Sequence, residues 1–282
     1  MRILFVLEHY APYLGGAEKL FRQVTQLLVA QGHQVRVVTT QFRPDLPQQE
    51  CLDGVEVHRI KCRNRFLFTF LSFPAVWRAA SWADIIHTTT YNAALPAWLA
   101  GRLRRKGTLI TFHEHWGKLW FQLPFLKWWE RYLFFGFEKL ISRLPFSQYI
   151  AVSEATKQAL IQADIPESKV VRIYNGLNYD RFKQVNNHPP IAEFRLSFVG
   201  RLGVSKGLDL LIPAWGNFAK ANTGKNTVLQ LVIPTYPKPL FDTINDMIQA
   251  YCPPKSVQLL HELSREELDS VLQKSHAIVI PS

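Results

Sequence analysis

The sequence predicts an α/β protein built from two parallel-sheet domains, the second of them incomplete. Three observations carry this expectation. Short apolar runs alternate with helix-period segments along almost the whole chain, as expected for buried strands joined by crossover helices. A Pro- and Asn-rich stretch, Asn186-Asn187-His188-Pro189-Pro190, interrupts the alternation and reads as a linker. The alternation then restarts, and the sequence closes at Ile278-Val279-Ile280-Pro281-Ser282, where a strand should hand over to a loop. The expected domains are residues 1–186 and 187–282.

In the first domain, apolar runs place strands near 2–7, 34–39, 55–60, 84–88, 108–112 and 148–152. Helices are expected near 16–31, 92–105, 124–143 and 154–163. The first helix aligns Leu20, Val24, Leu27 and Leu28 on one face and has Gly32 just past its end. In the second domain, strands fall near 194–199, 228–233, 256–260 and 276–280, with helices near 206–221, 238–251 and 264–274. Four strands in so short a span leave that sheet unfinished, so a truncated or naturally short chain is expected.

Composition narrows the class. With 282 residues and 48% hydrophobic content, the chain can bury one large core or two modest ones. No apolar run approaches the ~20 residues of a membrane-spanning helix. The strand-like Arg2–Leu7 opening argues against a signal peptide. Three cysteines, Cys51, Cys62 and Cys252, show no metal-ligand spacing and fit reduced thiols in the cytoplasm. The net charge of +11 is uneven: up to Pro190 there are 24 Lys and Arg against 14 Asp and Glu. That basic excess suggests an anionic partner for the first domain.

The most informative stretch is Phe198-Val199-Gly200-Arg201-Leu202-Gly203-Val204-Ser205-Lys206-Gly207. It runs from a strand through a glycine turn to two cations at an expected helix start. Unpaired N–H groups, the helix dipole, a guanidinium and an ammonium together suit a diphosphate. The spacing is not that of a P-loop, and a solvated surface turn is the alternative. The first strand leads into Gly15-Gly16-Ala17-Glu18, where paired glycines let a phosphate or sugar approach the backbone; a tight turn without a ligand also accounts for them. It lacks the GxGxxG dinucleotide pattern. His113 and Glu114 follow the strand at 108–112, and a histidine emerging at that edge can exchange hydrogen bonds with a ligand or merely cap the strand. His113-Glu114-His115 invites a metal, but alternate residues of an extended backbone point to opposite sides, so no metal is expected. Ser153 can N-cap the helix after the strand at 148–152. Asn175-Gly176 is a turn signal.

Two segments are both aromatic and basic: Arg63–Leu71 and the stretch from Trp116 to Phe135. Trp, Tyr and basic side chains suit an anionic membrane surface, although the same aromatics can form core. Nucleic acid is not expected, because stacking platforms usually sit on exposed sheets.

With these residues in place, the chain resembles the retaining glycosyltransferases of family 4, which have the GT-B fold of two Rossmann-like domains facing a cleft. The matching residues come in the family's order: Gly15-Gly16-Ala17-Glu18, His113, Val152-Ser153, Asn175-Gly176-Leu177 with Phe182, Gly200-Arg201-Leu202 with Lys206-Gly207, and Pro281-Ser282. The resemblance implies transfer of a hexose from a UDP- or GDP-sugar to a glycan or lipid-linked acceptor, with retention of configuration. It implies Gly200, Arg201 and Lys206 on the donor diphosphate, Gly15 and Gly16 lining the cleft, and His113 beside the transferring sugar. Glu114, Ser153, Asn175 and Gly176 are further cleft candidates. The nucleotide sugar is a co-substrate, and neither a metal nor another cofactor is implied. A cytoplasmic enzyme lying on the inner face of the plasma membrane is expected. Two departures stand out: the acidic glycine loop that usually follows Pro-Ser is missing, and the strand at 228–233 runs into Pro234-Thr235-Tyr236-Pro237 instead of a glycine turn. Little activity is therefore expected of this polypeptide. A UDP-sugar 2-epimerase of the same fold and a non-catalytic binding remnant are the alternatives.

Overall fold

The computed structural model describes residues 1–13, 15–176 and 192–281. The chain divides into two compact units, Met1–Phe121 with Trp129–Leu177, and Gln122–Trp128 with Asn178–Ser282. The linker expected at 186–190, and with it the expected domain boundary, lies outside the described residues.

The first unit begins β1 (Arg2–Val6), α1 (Gly16–Ala30), β2 (Gln34–Thr40), β3 (Gln49–Leu52) and β4 (Val55–Ile60). It continues α2 (Arg65–Leu71), α3 (Phe73–Trp82), β5 (Ile85–Thr89), α4 (Ala94–Arg104) and β6 (Gly107–Phe112). Helix α5 (Trp128–Arg143), β7 (Gln148–Ala151), α6 (Glu154–Gln162) and β8 (Val170–Arg172) complete the series. The strands form one eight-stranded sheet in the order β3-β4-β2-β1-β5-β6-β7-β8. Every pairing is parallel except β3 against β4.

The apolar runs read as strands because both faces of the sheet are covered. Leu4 and Val6 of β1 pack with Phe68, Val76, Ala80 and Ala97 from α2, α3 and α4. Ile3 and Phe5 face the other way, onto Phe21 of α1 and Val35, Val37 and Val57. Each such fully buried side chain contributes roughly 1.5–3 kcal/mol relative to exposure. Parallel strands joined by crossover helices send every following loop to one edge, and ligand sites of such sheets are built there.

The second unit contains β9 (Phe194–Val199), α7 (Leu208–Ala221), β10 (Thr227–Val232), α8 (Lys238–Tyr251) and β11 (Val257–Leu260). Helix α9 (Arg265–Gln273) and β12 (Ala277–Ile278) follow. The sheet order is β11-β10-β9-β12, all parallel. Its core joins Phe198, Leu208, Ile212, Trp215, Leu229 and Ile244. A capping box between Ser264 and Glu267 starts α9.

The structure corrects several expectations. Leu27 points to solvent, and α1 instead buries Phe21 and Thr25. Helix α5 starts at Trp128 rather than 124, and α7 at Leu208 rather than 206. The last strand pairs only over Ala277–Ile278. Two strands had no apolar run to announce them. Strand β3 returns on β4 through Asp53-Gly54, both with positive φ (55° and 81°), the geometry that a two-residue hairpin requires. Strand β8 is only three residues long.

Candidate active site

The edge of the first sheet gathers the loops after β1, β5, β6 and β7, and its floor is a buried carboxylate. Glu8, directly beyond β1, is 8% exposed. Arg65, at the start of α2, places Nε 2.8 Å from Glu8 Oε1 and donates from Nη2 to Oε2 at 3.2 Å. Asn92 donates Nδ2–H to Oε2 at 2.8 Å, and His9 Nε2 lies 3.4 Å from Oε1. Burial pushes the Glu8 carboxyl up, but the His9 and Asn92 hydrogen bonds and the Arg65 charge outweigh it and hold the carboxyl below its usual range. Glu8 is therefore an anion near neutral pH. The His9 ring stacks on Tyr13 at 4.1 Å.

Tyr91 sits just past β5 with φ 71°, a left-handed backbone that is rare for a bulky residue. Its hydroxyl is buried without a partner, and burial, with Glu138 and Glu114 nearby, pushes its pKa far up. His113 directly follows β6, as the sequence placed it. Its ring meets the edge of Phe21 at 5.9 Å, and its Nε2 is buried and unpartnered. Burial lowers the His113 pKa, so the imidazole is neutral at neutral pH and keeps one donor and one acceptor. Behind it, half-buried His87 has Nε2 2.8 Å from Thr111 Oγ1, and its pKa is lowered to about 4, first by loss of solvation and then by His113.

The other sequence candidates fall into place unevenly. Gly15 is the extended N-cap residue of α1, and a Cβ there would overlap the Glu18 carboxylate. Gly16 is exposed, and a Cβ there would meet no atom within 4 Å among the described residues. Glu114 is exposed. Ser153 caps α6, accepting from Thr156 N at 3.0 Å, and its hydroxyl is also 2.9 Å from Thr156 Oγ1. Ser153 thus has a capping role independent of any ligand. Asn175 and Gly176 are exposed beyond β8, while Leu177, Phe182 and Ser282 lie outside the described residues. Sequence reading passed over Glu8, Arg65, Tyr91 and His87. Only the polar residues in the strand-edge turns Glu8-His9 and Tyr91-Asn92 hinted at them.

In the second unit, Gly200-Arg201 leaves β9, with Gly200 N donating to Val232 O at 3.1 Å. A Cβ at Gly200 would press on the Phe198 ring at 2.9 Å. Arg201 is exposed and Lys206 half-buried, and neither has a carboxylate partner among the described residues. Lys206 lies in the turn before α7 rather than inside the helix. Gly207 is the N-cap with φ 66°, offers no side-chain cap, and its missing Cβ leaves room for the Pro281 carbonyl. Gly203, Lys206, an uncapped helix N-terminus and Pro281 thus meet in one place, with Arg201 on the turn that leads into it, an arrangement suited to a bound phosphate.

Comparison with known proteins identifies the family of both units. The profile described as Glycosyltransferase Family 4 matches residues 14–181, and that described as Glycosyl transferases group 1 matches residues 180–282. Uncharacterized glycosyltransferase MJ1069 of Methanocaldococcus jannaschii is 22% identical over 78% of this chain, which spans 60% of that relative's length. MJ1607 of the same organism is 25% identical over 100% of this chain and 75% of its own. Among solved structures, sucrose-phosphate synthase from Thermosynechococcus elongatus superposes with a TM-score of 0.74 at 20% identity, covering 100% of this chain and 75% of that one. Anabaena Alr3699/HepE in complex with UDP-glucose gives 0.67 at 17% identity, covering 99% and 73%. The chain belongs to the glycosyltransferases of the GT-B fold, with a Glycosyltransferase Family 4 first domain and a Glycosyl transferases group 1 second domain.

Proposed function

We propose that the protein moves a hexose from a UDP- or GDP-sugar to a glycan or lipid-linked acceptor, with retention of anomeric configuration. The observation that carries this reading is the turn after β9, where Arg201 and Lys206 flank an uncapped helix N-terminus. The Anabaena neighbour's complex with UDP-glucose supports a nucleotide-diphosphate donor. In this reading Arg201 and Lys206 neutralise the charge that builds on the departing diphosphate, and no metal is needed. Gly200 and Gly207 let the backbone come close to it. Neutral His113 hydrogen-bonds a hydroxyl of the transferring sugar, at the same sheet edge that carries the ionised Glu8. Gly15 and Gly16 leave backbone open to the sugar. The acceptor attacks the face from which the diphosphate leaves.

Calorimetric titration of UDP, GDP and their hexose conjugates tests the donor assignment. Arg201→Ala and Lys206→Ala should each weaken binding about tenfold or more, the worth of one charge-assisted hydrogen bond. Unchanged affinity in both variants would remove the diphosphate site.

The membrane reading rests on exposed aromatics beside cations. Phe66, Phe70 and Leu71 of α2 and Trp128, Trp129 and Tyr132 of α5 are exposed, whereas Phe68 and Trp120 are core. Trp77 and Trp82 are taken up under Arg104 and Arg36, at 3.9 and 4.0 Å. Among the described residues no helix is long and apolar enough to cross a membrane. The surface fits peripheral contact on a cytoplasmic leaflet. Vesicles containing anionic lipid should retain the protein, high salt should weaken that retention, and Phe70→Ser with Trp128→Ser should abolish it. Equal retention by zwitterionic vesicles would count against the charge component.

A further inference from the structure

A cavity of about 570 Å³ opens in the first unit between the turn at His115–Leu119, α5 and the end of α6. Three exposed cations line it, Lys118, Lys139 and Arg143, and none has a carboxylate partner among the described residues. Glu138 also lines it, but that carboxylate is spent on the backbone. Its Oε1 accepts from Trp116 N at 3.0 Å and its Oε2 from Gly117 N at 2.6 Å. These bonds hold the turn that carries Lys118 against the helix that carries Lys139 and Arg143. Asp164 is the one other acid on the wall, so the cavity keeps an excess of positive charge. One part of the wall is apolar, formed by Trp116, Leu119 and Phe135, while His115, Ser142 and Gln162 also line the cavity.

We propose that this cavity binds the phosphate head of an anionic lipid. A phosphate has several acceptor oxygens and is held best by converging cationic donors. Cations alone would serve a free phosphate equally well. The apolar side chains of the wall, with Leu119 exposed at its edge, favour a phosphate that carries hydrocarbon. The volume lies within the usual range of small-ligand sites. Each methylene laid against the wall is worth roughly fourfold in affinity. The proposal goes beyond the membrane contact above, which needs only a basic aromatic surface, because it assigns one lipid to one cavity. No residue placed in the transfer site lines it.

The test is calorimetric titration of the full chain with dihexanoyl phosphatidic acid below its micellar concentration, alongside glycerol 3-phosphate, inorganic phosphate and dihexanoyl phosphatidylcholine. One lipid per chain should bind saturably, at least tenfold more tightly than any of the other three. The triple variant Lys118→Gln, Lys139→Gln, Arg143→Gln should lose at least tenfold in affinity. A control triple variant, Arg102→Gln, Lys169→Gln, Lys225→Gln, removes the same charge from exposed positions outside the cavity and should bind as the parent does. Unfolding midpoints verify that both variants are folded. Glycerol phosphate or inorganic phosphate binding as tightly as the lipid would overturn the lipid assignment. Equal weakening in the control variant would reduce the effect to diffuse charge, and absence of saturable binding would remove the site. Nucleotide titration of the same samples reports Arg201 and Lys206 separately, so failure here is distinguishable from failure of the transferase reading.

Discussion

Glu50→Ala should destabilise the first unit by about 3 kcal/mol, read as a shift in the urea unfolding midpoint with unchanged slope. Arg59 lies in β4 with its side chain fully buried, and its Nη2 is 2.6 Å from Glu50 Oε1 on the neighbouring β3. The same guanidinium donates to the carbonyls of Ala11 at 2.8 Å and Pro47 at 3.1 Å, while Nε has no partner. Removing Glu50 strands a buried cation on two carbonyls. Breaking such a pair usually costs 3–5 kcal/mol, and the partial exposure of Glu50 argues for the lower end. The double variant Glu50→Ala, Arg59→Met should recover most of the loss, because the cost lies in the unpaired charge rather than in the lost pair. A cost under about 1 kcal/mol for Glu50→Ala would mean that water already serves the guanidinium.

The consequence extends to the site. The Ala11 carbonyl belongs to the turn between Glu8 and Gly15, so Arg59 ties the β3–β4 hairpin to the first loop of the candidate active site. The double variant should therefore regain stability while leaving that loop less firmly held. Faster amide exchange at Ala11, Tyr13, Gly15 and Gly16, at restored global stability, is the expected sign.

Most of the framework was legible in the sequence, because a strand covered on both faces must be almost entirely apolar. Ile3-Leu4-Phe5-Val6 and Leu229-Gln230-Leu231 announce themselves in that way. Gln49-Glu50-Cys51-Leu52 does not, since β3 is an edge strand whose role is to bring Glu50 to Arg59. The paired helices α2 and α3 were visible only as greasy sequence. Asn64 caps the first by accepting from Leu67 N, and Ser72 divides them while keeping helical dihedrals. The phosphate-favouring turn was readable because glycines, cations and a helix start are local features. The Glu8 cluster was not, because its partners stand 57 and 84 residues away and only the sheet order brings β1, α2 and β5 together. A lone histidine inside a strand, His87, carried no signal at all.

That histidine should dominate the acid side of the stability curve. In the native protein its pKa is lowered to about 4, against 6.5 for an unperturbed histidine, because burial among Phe5, Phe21 and Thr111 disfavours the charged ring. Between these values the unfolded chain binds a proton that the native chain does not, so stability rises with pH across the window. The contribution is fully present above pH 6.5, falls progressively below it and is gone near pH 4. Its size is about 3 kcal/mol for a displacement of this order. His113, also lowered by burial, slopes in the same direction and adds to it. Glu8, whose folded pKa is lowered as well, contributes above the ordinary carboxylate range and loses that contribution as pH falls through its folded value. The part between pH 6.5 and about 5 thus belongs mainly to the histidines. His87→Gln keeps a polar group near Thr111 but cannot titrate. Its unfolding free energy should be nearly flat from pH 7 to 5.5 apart from the shares of His113 and of His58, which burial and Arg78 also lower, whereas the parent falls more steeply. If the two curves remain parallel, His87 is hydrated in the native state and does not hold the neutral environment of His113. If they converge toward acid pH, the neutral pair His87–His113 is maintained by burial. In the proposed transfer reading, activity should then hold through the ordinary histidine range and fall only at more acid pH, where the burial-lowered His113 charges.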